Sequence, residues 1–233
     1  MRSGKEGRVM PHKHRIGPAV KLGQWTGQLL LHAEEGLSRL YPRRVRKSLS
    51  DEVLRRNRET DVRSRMITEQ DGDRSTGING MRIGKASVGR CGCEVIAVNN
   101  VLVHLGRETS FAELEHLFET SGALVRAPFV PAGVFGSNPY AIRRVLGSLG
   151  IRAEKVSAAE MNSVPGAYVF SYWNPGGLFS GLHTVFSVFD GRYHTVYNYG
   201  HSGTARLNPV EWERRFNGRF ITACRTGDAG PEA

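Results

Sequence analysis

Residues 182–198, LHTVFSVFDGRYHTVYN, decide the fold. Two runs rich in Val, Phe, Thr and Tyr flank Asp190-Gly191, and Asp-Gly between alternating apolar residues is a strong hairpin signal. If those two residues form the loop of a type I′ turn, Phe189 faces Arg192 and Val185 faces Val196. Ser187 then faces His194, and His183 faces Asn198. Directly opposed residues have Cβ atoms about 4.5–5.5 Å apart on one face of the sheet. The register therefore predicts an imidazole beside a carboxamide, whose oxygen can accept a ring N–H and fix the tautomer.

Working outward, residues 151–156, 167–173 and 219–225 read as further strands, and Asn208-Pro209 opens a short helix with a capping side chain and Pro at its first position. Upstream, residues 93–105 are apolar around most of a helical circumference and predict a buried helix. Ser110 and Glu113 make a capping box for the next helix, and Ser137-Asn138-Pro139 opens a third. Helices followed by an antiparallel sheet give the class α+β.

Before residue 79 the character differs. Residues 1–18 read as a disordered start. Leu22, Trp25, Leu29, Leu30, Leu37 and Leu40 recur at roughly helical spacing, interrupted by Gly23, Gly27 and Gly36. Ser50-Asp51-Glu52 opens another helix, and residues 70–80, QDGDRSTGING, form a turn-rich linker. The expected organisation is a basic, partly helical or disordered extension over 1–78, a folded domain over 79–226 and a disordered tail over 227–233.

The chain of 233 residues carries a formal charge of +10, and residues 1–75 hold 17 Lys and Arg against 10 Asp and Glu. The densest basic stretch, residues 39–58, is read as a solvated helix and loop rather than a nucleic-acid or anionic-membrane patch. Trp25 and Tyr41 are the aromatics near it that could stack on bases, and no zinc-finger or RNA-binding signature accompanies it, so a nucleic-acid partner is not expected. No run approaches ~18 apolar residues, so no membrane span is expected. The basic start lacks an apolar segment and does not read as a secretory signal. Three cysteines cannot build a disulfide scaffold, which points to a reducing, cytoplasmic setting.

Cys93 opens the buried helix directly after Gly92. A helix N-terminus presents free N–H groups and positive potential, which favour a thiolate and can hold an oxyanion. With His183 and Asn198, Cys93 completes a Cys-His-Asn set of the kind that performs nucleophilic acyl transfer. Cys91 is the competing nucleophile. Cys91-Gly92-Cys93 is a weak metal motif without a second Cys pair, and neither a metal nor a cofactor is expected. His12 and His14 offer adventitious metal affinity at most. His194 is read as solvated structure, and Asn99 and Asn100 as buried hydrogen-bonding groups. Tyr172, Trp173 and residues 174–181 are candidates for a cleft wall.

The stretches GCEVIAVNNVLVHLG (92–106) and SGLHTVFSVFDGRYHTVYNYG (180–200) resemble papain-like cysteine peptidases, and are most similar to the compact bacterial group related to double-glycine leader peptidases. The resemblance covers roughly residues 80–225. It implies a papain-like fold, with Cys93 as nucleophile (Ala97 four residues on), His183 as base, Asn198 as orienting residue, and a peptide or protein substrate. Besides Cys91, which also precedes a Gly as the Cys does in some leader peptidases, two positions depart from the family pattern. Glu94 stands where a Gly is usual. The family's upstream Gln is missing from residues 83–90, and Gln70 is the nearest. An acyl or amide transferase on the same site, or a catalytically inactive peptide-binding module, remain the alternatives. In a further reading the extension is a pro-segment over the cleft, released by cleavage within 70–80.

Overall fold

The computed structural model describes residues 17–40, 47–60, 65–70, 77–125, 135–175, 181–200 and 203–228. The expected disordered start, apart from residues 17 and 18, most of the linker and the last five tail residues lie outside this set, as do His12, His14 and residues 176–180 of the candidate cleft wall.

Among the described residues the first elements are helix α1 (Pro18–Leu40) and helix α2 (Lys47–Arg58), followed by a two-stranded ribbon, β1 (Arg82–Ile83) and β2 (Ala86–Ser87). A one-turn helix, α3 (Val88–Cys91), is followed by α4 (Cys93–His104), α5 (Phe111–Thr120) and α6 (Ile142–Ser148). Next come β3 (Ile151–Val156), the short α7 (Ala158–Met161), β4 (Gly166–Trp173), β5 (Leu182–Phe189), β6 (His194–Tyr197) and β7 (Thr204–Leu207). The last elements are α8 (Pro209–Phe216) and β8 (Phe220–Asp228). The six-stranded sheet has the order β3-β8-β4-β5-β6-β7, and every neighbouring pair is antiparallel. The protein is thus α+β. The caps read from sequence are present: Ser110 accepts from the Glu113 N–H, Asn138 from Tyr140 and Asn208 from Glu211.

The sheet separates two apolar layers. On one face Val169 and Phe186 pack with α4, α5 and α6, including Val95, Ile96, Phe118 and Val145. On the other, Tyr168, Phe170, Val185 and Val196 pack with Trp212 and Phe216 of α8. Every residue from Cys93 to Leu102 is buried, as expected of a helix apolar on all sides.

The extension is laid on this body. Asn57 of α2 donates to the Arg82 carbonyl and accepts from the Arg82 N–H, and it also donates to Glu115 of α5. The arginines of α2 are occupied: Arg55 and Arg56 pair with Glu52, Arg55 also with Glu59, and Arg58 with Glu113. Residues 65–70 run extended beside α4. There the Asn100 carboxamide exchanges two hydrogen bonds of 2.8 Å with the backbone of Ile67, as a neighbouring strand would, and Asn99 donates to the Arg65 carbonyl. Two polar residues in the middle of an apolar helix thus fix the course of the segment that ends at Gln70.

The hairpin register differs from the expectation. Phe189 pairs with His194 and Phe186 with Tyr197, so the loop has four residues, 190–193, rather than two. Asp190 causes this: its carboxylate accepts from the backbone N–H groups of Arg192 and Tyr193, closing a local turn. His194 is also corrected. It is fully buried, with its ring stacked on Phe189 and its nitrogens against Ser187 and Asn162, and burial lowers its pKa to about 4.

Candidate active site

The site lies where α4 begins against the first residues of β5. Gly92 lets the chain turn between α3 and α4. A Cβ there would stand 2.5 Å from Val88 Cγ1 and 2.8 Å from the Val88 carbonyl oxygen. Only a residue without a side chain allows that approach, and it sets Cys93 as the first residue of the buried helix.

The Cys93 sulfur receives the backbone N–H of Thr184, the residue after His183. Cys91 instead packs into the apolar layer and receives the N–H of Gly136. Of the two cysteines, Cys93 is therefore the one bonded to β5, at the residue that follows His183 in sequence. His183 Nε2 lies 2.7 Å from the backbone carbonyl oxygen of Asn198. A carbonyl only accepts, so Nε2 is assigned the proton in this contact. Tyr172, paired with His183 across the sheet, stands edge-on to the imidazole at 5.8 Å, and the Arg219 guanidinium lies 5.7 Å from the Tyr172 ring centroid.

Asn198 meets His183 by a different atom from the one expected. The longer hairpin loop ends the β5–β6 ladder at Tyr197, and Asn198 turns away with φ 60°, a left-handed conformation that Asn tolerates better than most residues. The turn presents its carbonyl oxygen to the imidazole. Its carboxamide, buried, donates to Gln70 Oε1 at 3.4 Å, and Gln70 Nε2 donates to the Val88 carbonyl at 3.0 Å. Gln70 has therefore folded back from the extension to the start of α3, the one-turn helix that precedes Cys93.

Glu94 is the second departure. Its carboxylate is buried, accepts from the Cys93 thiol at 3.2 Å and from the Thr184 hydroxyl at 3.3 Å, and receives the Ser137 backbone N–H. Ser171 extends this chain with a 2.7 Å hydrogen bond to Thr184. Burial raises the Glu94 carboxyl to about 7 against those hydrogen bonds. Burial, then the Glu94 charge and hydrogen bond, hold the Cys93 thiol well above its usual value, and the Thr184 N–H pulls the other way. The helix N-terminus alone was expected to favour thiolate. In this arrangement the desolvated thiol stays protonated and donates to Glu94.

Thr184 and Ser171 carried no signal of their own in the sequence. Strand alternation puts both on the sheet face opposite His183, toward α4, and that is how they reach Glu94. Among the described residues, no group of three or more His, Cys, Asp and Glu is arranged to hold a metal ion. No protein-family model matches the chain, and no curated protein matches it.

Proposed function

We propose that the chain is a papain-like cysteine peptidase that cleaves a peptide or amide bond through a thioester. The observation carrying this reading is the convergence at the start of β5. The Cys93 sulfur sits on the Thr184 N–H, and His183, the residue before Thr184, is held through Nε2 by the Asn198 carbonyl. In this mechanism His183 takes the thiol proton as the sulfur attacks the substrate carbonyl, forming a C–S bond and an oxyanion. The Cys93 backbone N–H and the Gln70 carboxamide are the proposed oxyanion donors. His183 then protonates the leaving amine as the C–N bond breaks. Water, deprotonated by His183, then adds to the thioester carbonyl; the C–S bond breaks, the acid leaves, and His183 returns the proton to the sulfur. An amine in place of water would make the same site a transferase. Three cysteines outside any disulfide suit a reducing compartment.

A second reading has its own observation. A buried thiol that donates to a carboxylate one residue away is poorly poised to ionise. That favours a peptide-binding module without turnover. Iodoacetamide labelling from about pH 4 to 9, with each cysteine assigned by mass spectrometry, separates the two. The peptidase reading expects Cys93 to react fastest and His183→Ala to abolish that advantage. Fast labelling at Cys91 would keep an enzyme but move its nucleophile. Three slow, ordinary thiols would support the binding module.

A further inference from the structure

Helix α1 is docked with its polar side inward. Gln24, Gly27 and Glu35 are buried, while Leu22 is 64%, Trp25 61%, Leu29 49% and Leu40 72% exposed. The inward side is well anchored. Gln28 donates to the Phe220 carbonyl, Asn138 donates to the Leu31 carbonyl and to Glu34, Arg144 pairs with Glu35, and His32 stacks on Tyr140 at 3.9 Å. Both acids of the helix are thereby occupied. The charged side chains exposed on α1 are the cations Lys21 and Arg39, of which Arg39 also pairs with Glu35 at 3.1 Å.

We propose that this outward face lies on bilayer surfaces that contain anionic lipid. Charge is the first argument. In the sequence, residues 1–16 hold five Lys and Arg against one acid, and residues 41–47 hold four against none, so the apolar stripe is bracketed by cations. Amphipathic helices with this composition bind in the plane of the interface, where apolar burial and attraction to anionic headgroups act together. The geometry of the stripe is the second. Leu22, Thr26, Leu29, Ala33, Leu37 and Leu40 follow the straight-helix period of ~3.6 residues. A heptad seam through Leu22 and Leu29 would place Trp25, His32 and Arg39 at its second core position, which does not suit a coiled coil with another copy. A straight stripe matches a flat surface, and an exposed Trp beside Leu is typical of the headgroup level.

The test uses the full chain with vesicles of phosphatidylcholine containing about one-third phosphatidylglycerol. The expected result is co-sedimentation that weakens with salt, together with a blue shift in tryptophan emission that Trp25→Phe removes, because Trp173 and Trp212 are already buried. Leu22→Glu with Leu29→Glu should weaken binding by about tenfold or more and leave thermal unfolding unchanged, since both side chains are exposed. Several results would overturn the proposal: no binding to these vesicles, undiminished binding of the double variant, or equal binding to pure phosphatidylcholine. A concentration-dependent dimer abolished by the same substitutions would assign the face to a second copy. Retention on nucleic acid but not on vesicles would assign the basic flanks elsewhere.

Discussion

Glu94→Gln should make Cys93 more reactive, and only at a pH where Glu94 is charged. The glutamate lies 3.2 Å from the sulfur, and Gln is its isostere. The amide oxygen can still accept from the thiol, and the new NH2 can donate to Thr184, whose hydroxyl accepts as well as donates. The fold should therefore persist while the charge disappears. Two unit charges ~4 Å apart interact by about 4 kcal/mol at an effective dielectric of ~20, and solvent and relaxation can reduce this to about 1 kcal/mol. Those bounds correspond to a thiolate population higher by about fivefold to a thousandfold. A less basic thiolate is also less nucleophilic, with a Brønsted slope near 0.5, so the labelling rate should rise by about twofold to thirtyfold. Glu94 has its carboxyl raised to about 7. Near pH 8 it is mostly ionised and the variant should outpace the wild type. Near pH 5.5 it is mostly neutral, and the two rates should converge. Iodoacetamide labelling of both proteins, with Cys91 and Cys224 as internal references, measures this ratio. A ratio that stays flat across pH 7, or a wild-type Cys93 that already labels fast below pH ~7, would refute the assigned coupling.

Other substitutions probe the remaining supports. Asn198→Gly should keep His183-dependent labelling within about threefold, because Gly adopts the φ of 60° readily, retains the carbonyl and loses only a 3.4 Å contact. Asn198→Val should lose it, and a large loss in the Gly variant would show that the side chain is required. Gly92→Ala should cost about 1–3 kcal/mol in chemical denaturation, since its Cβ meets the Val88 backbone, and an unchanged midpoint would contradict that contact. Glu115 is raised to about 10 by burial and by Glu119, so its folded pKa lies above its unfolded one. That group's favourable effect is complete below pH ~4.5 and is lost as pH rises toward 10, a loss on the order of 3 kcal/mol by pH 7. Glu115→Gln should therefore raise the melting temperature at alkaline pH and flatten its pH dependence; a wild type whose stability does not fall over that range would count against the assignment.

How much of this was legible in the sequence depends on how local each contact is. The helix of Cys93 declared itself through apolar residues on every side, and the caps at Ser110, Asn138 and Asn208 through side chains that bond three residues or fewer away. The hairpin was legible as a hairpin, yet Asp-Gly suits both a two-residue turn and the four-residue loop that Asp190 closes. The difference moves the register by two residues, an even number, so every side chain keeps its face. His183 still meets Asn198, but by its carbonyl instead of its carboxamide. Gln70 was named as the nearest glutamine. Its arrival depends on Asn99 and Asn100, which hold Arg65 and Ile67 from 34 and 33 residues away in sequence, and spacing does not report such contacts.

Helix α1 marks the limit most clearly. Its leucine spacing predicts a helix and a stripe, and the helix forms, but periodicity cannot say which side the body takes. The opposite side held that information. Gln24, Gly27, Gln28 and Glu35 lie along one face and combine a small residue with groups able to bond a backbone or an arginine. A solvated face would more often carry unpaired Lys, Arg and Glu, as a long helix in water does. Amides and a glycine on the polar side of an amphipathic helix are thus a sign that the polar side is the one docked, and that the apolar side is left for another surface.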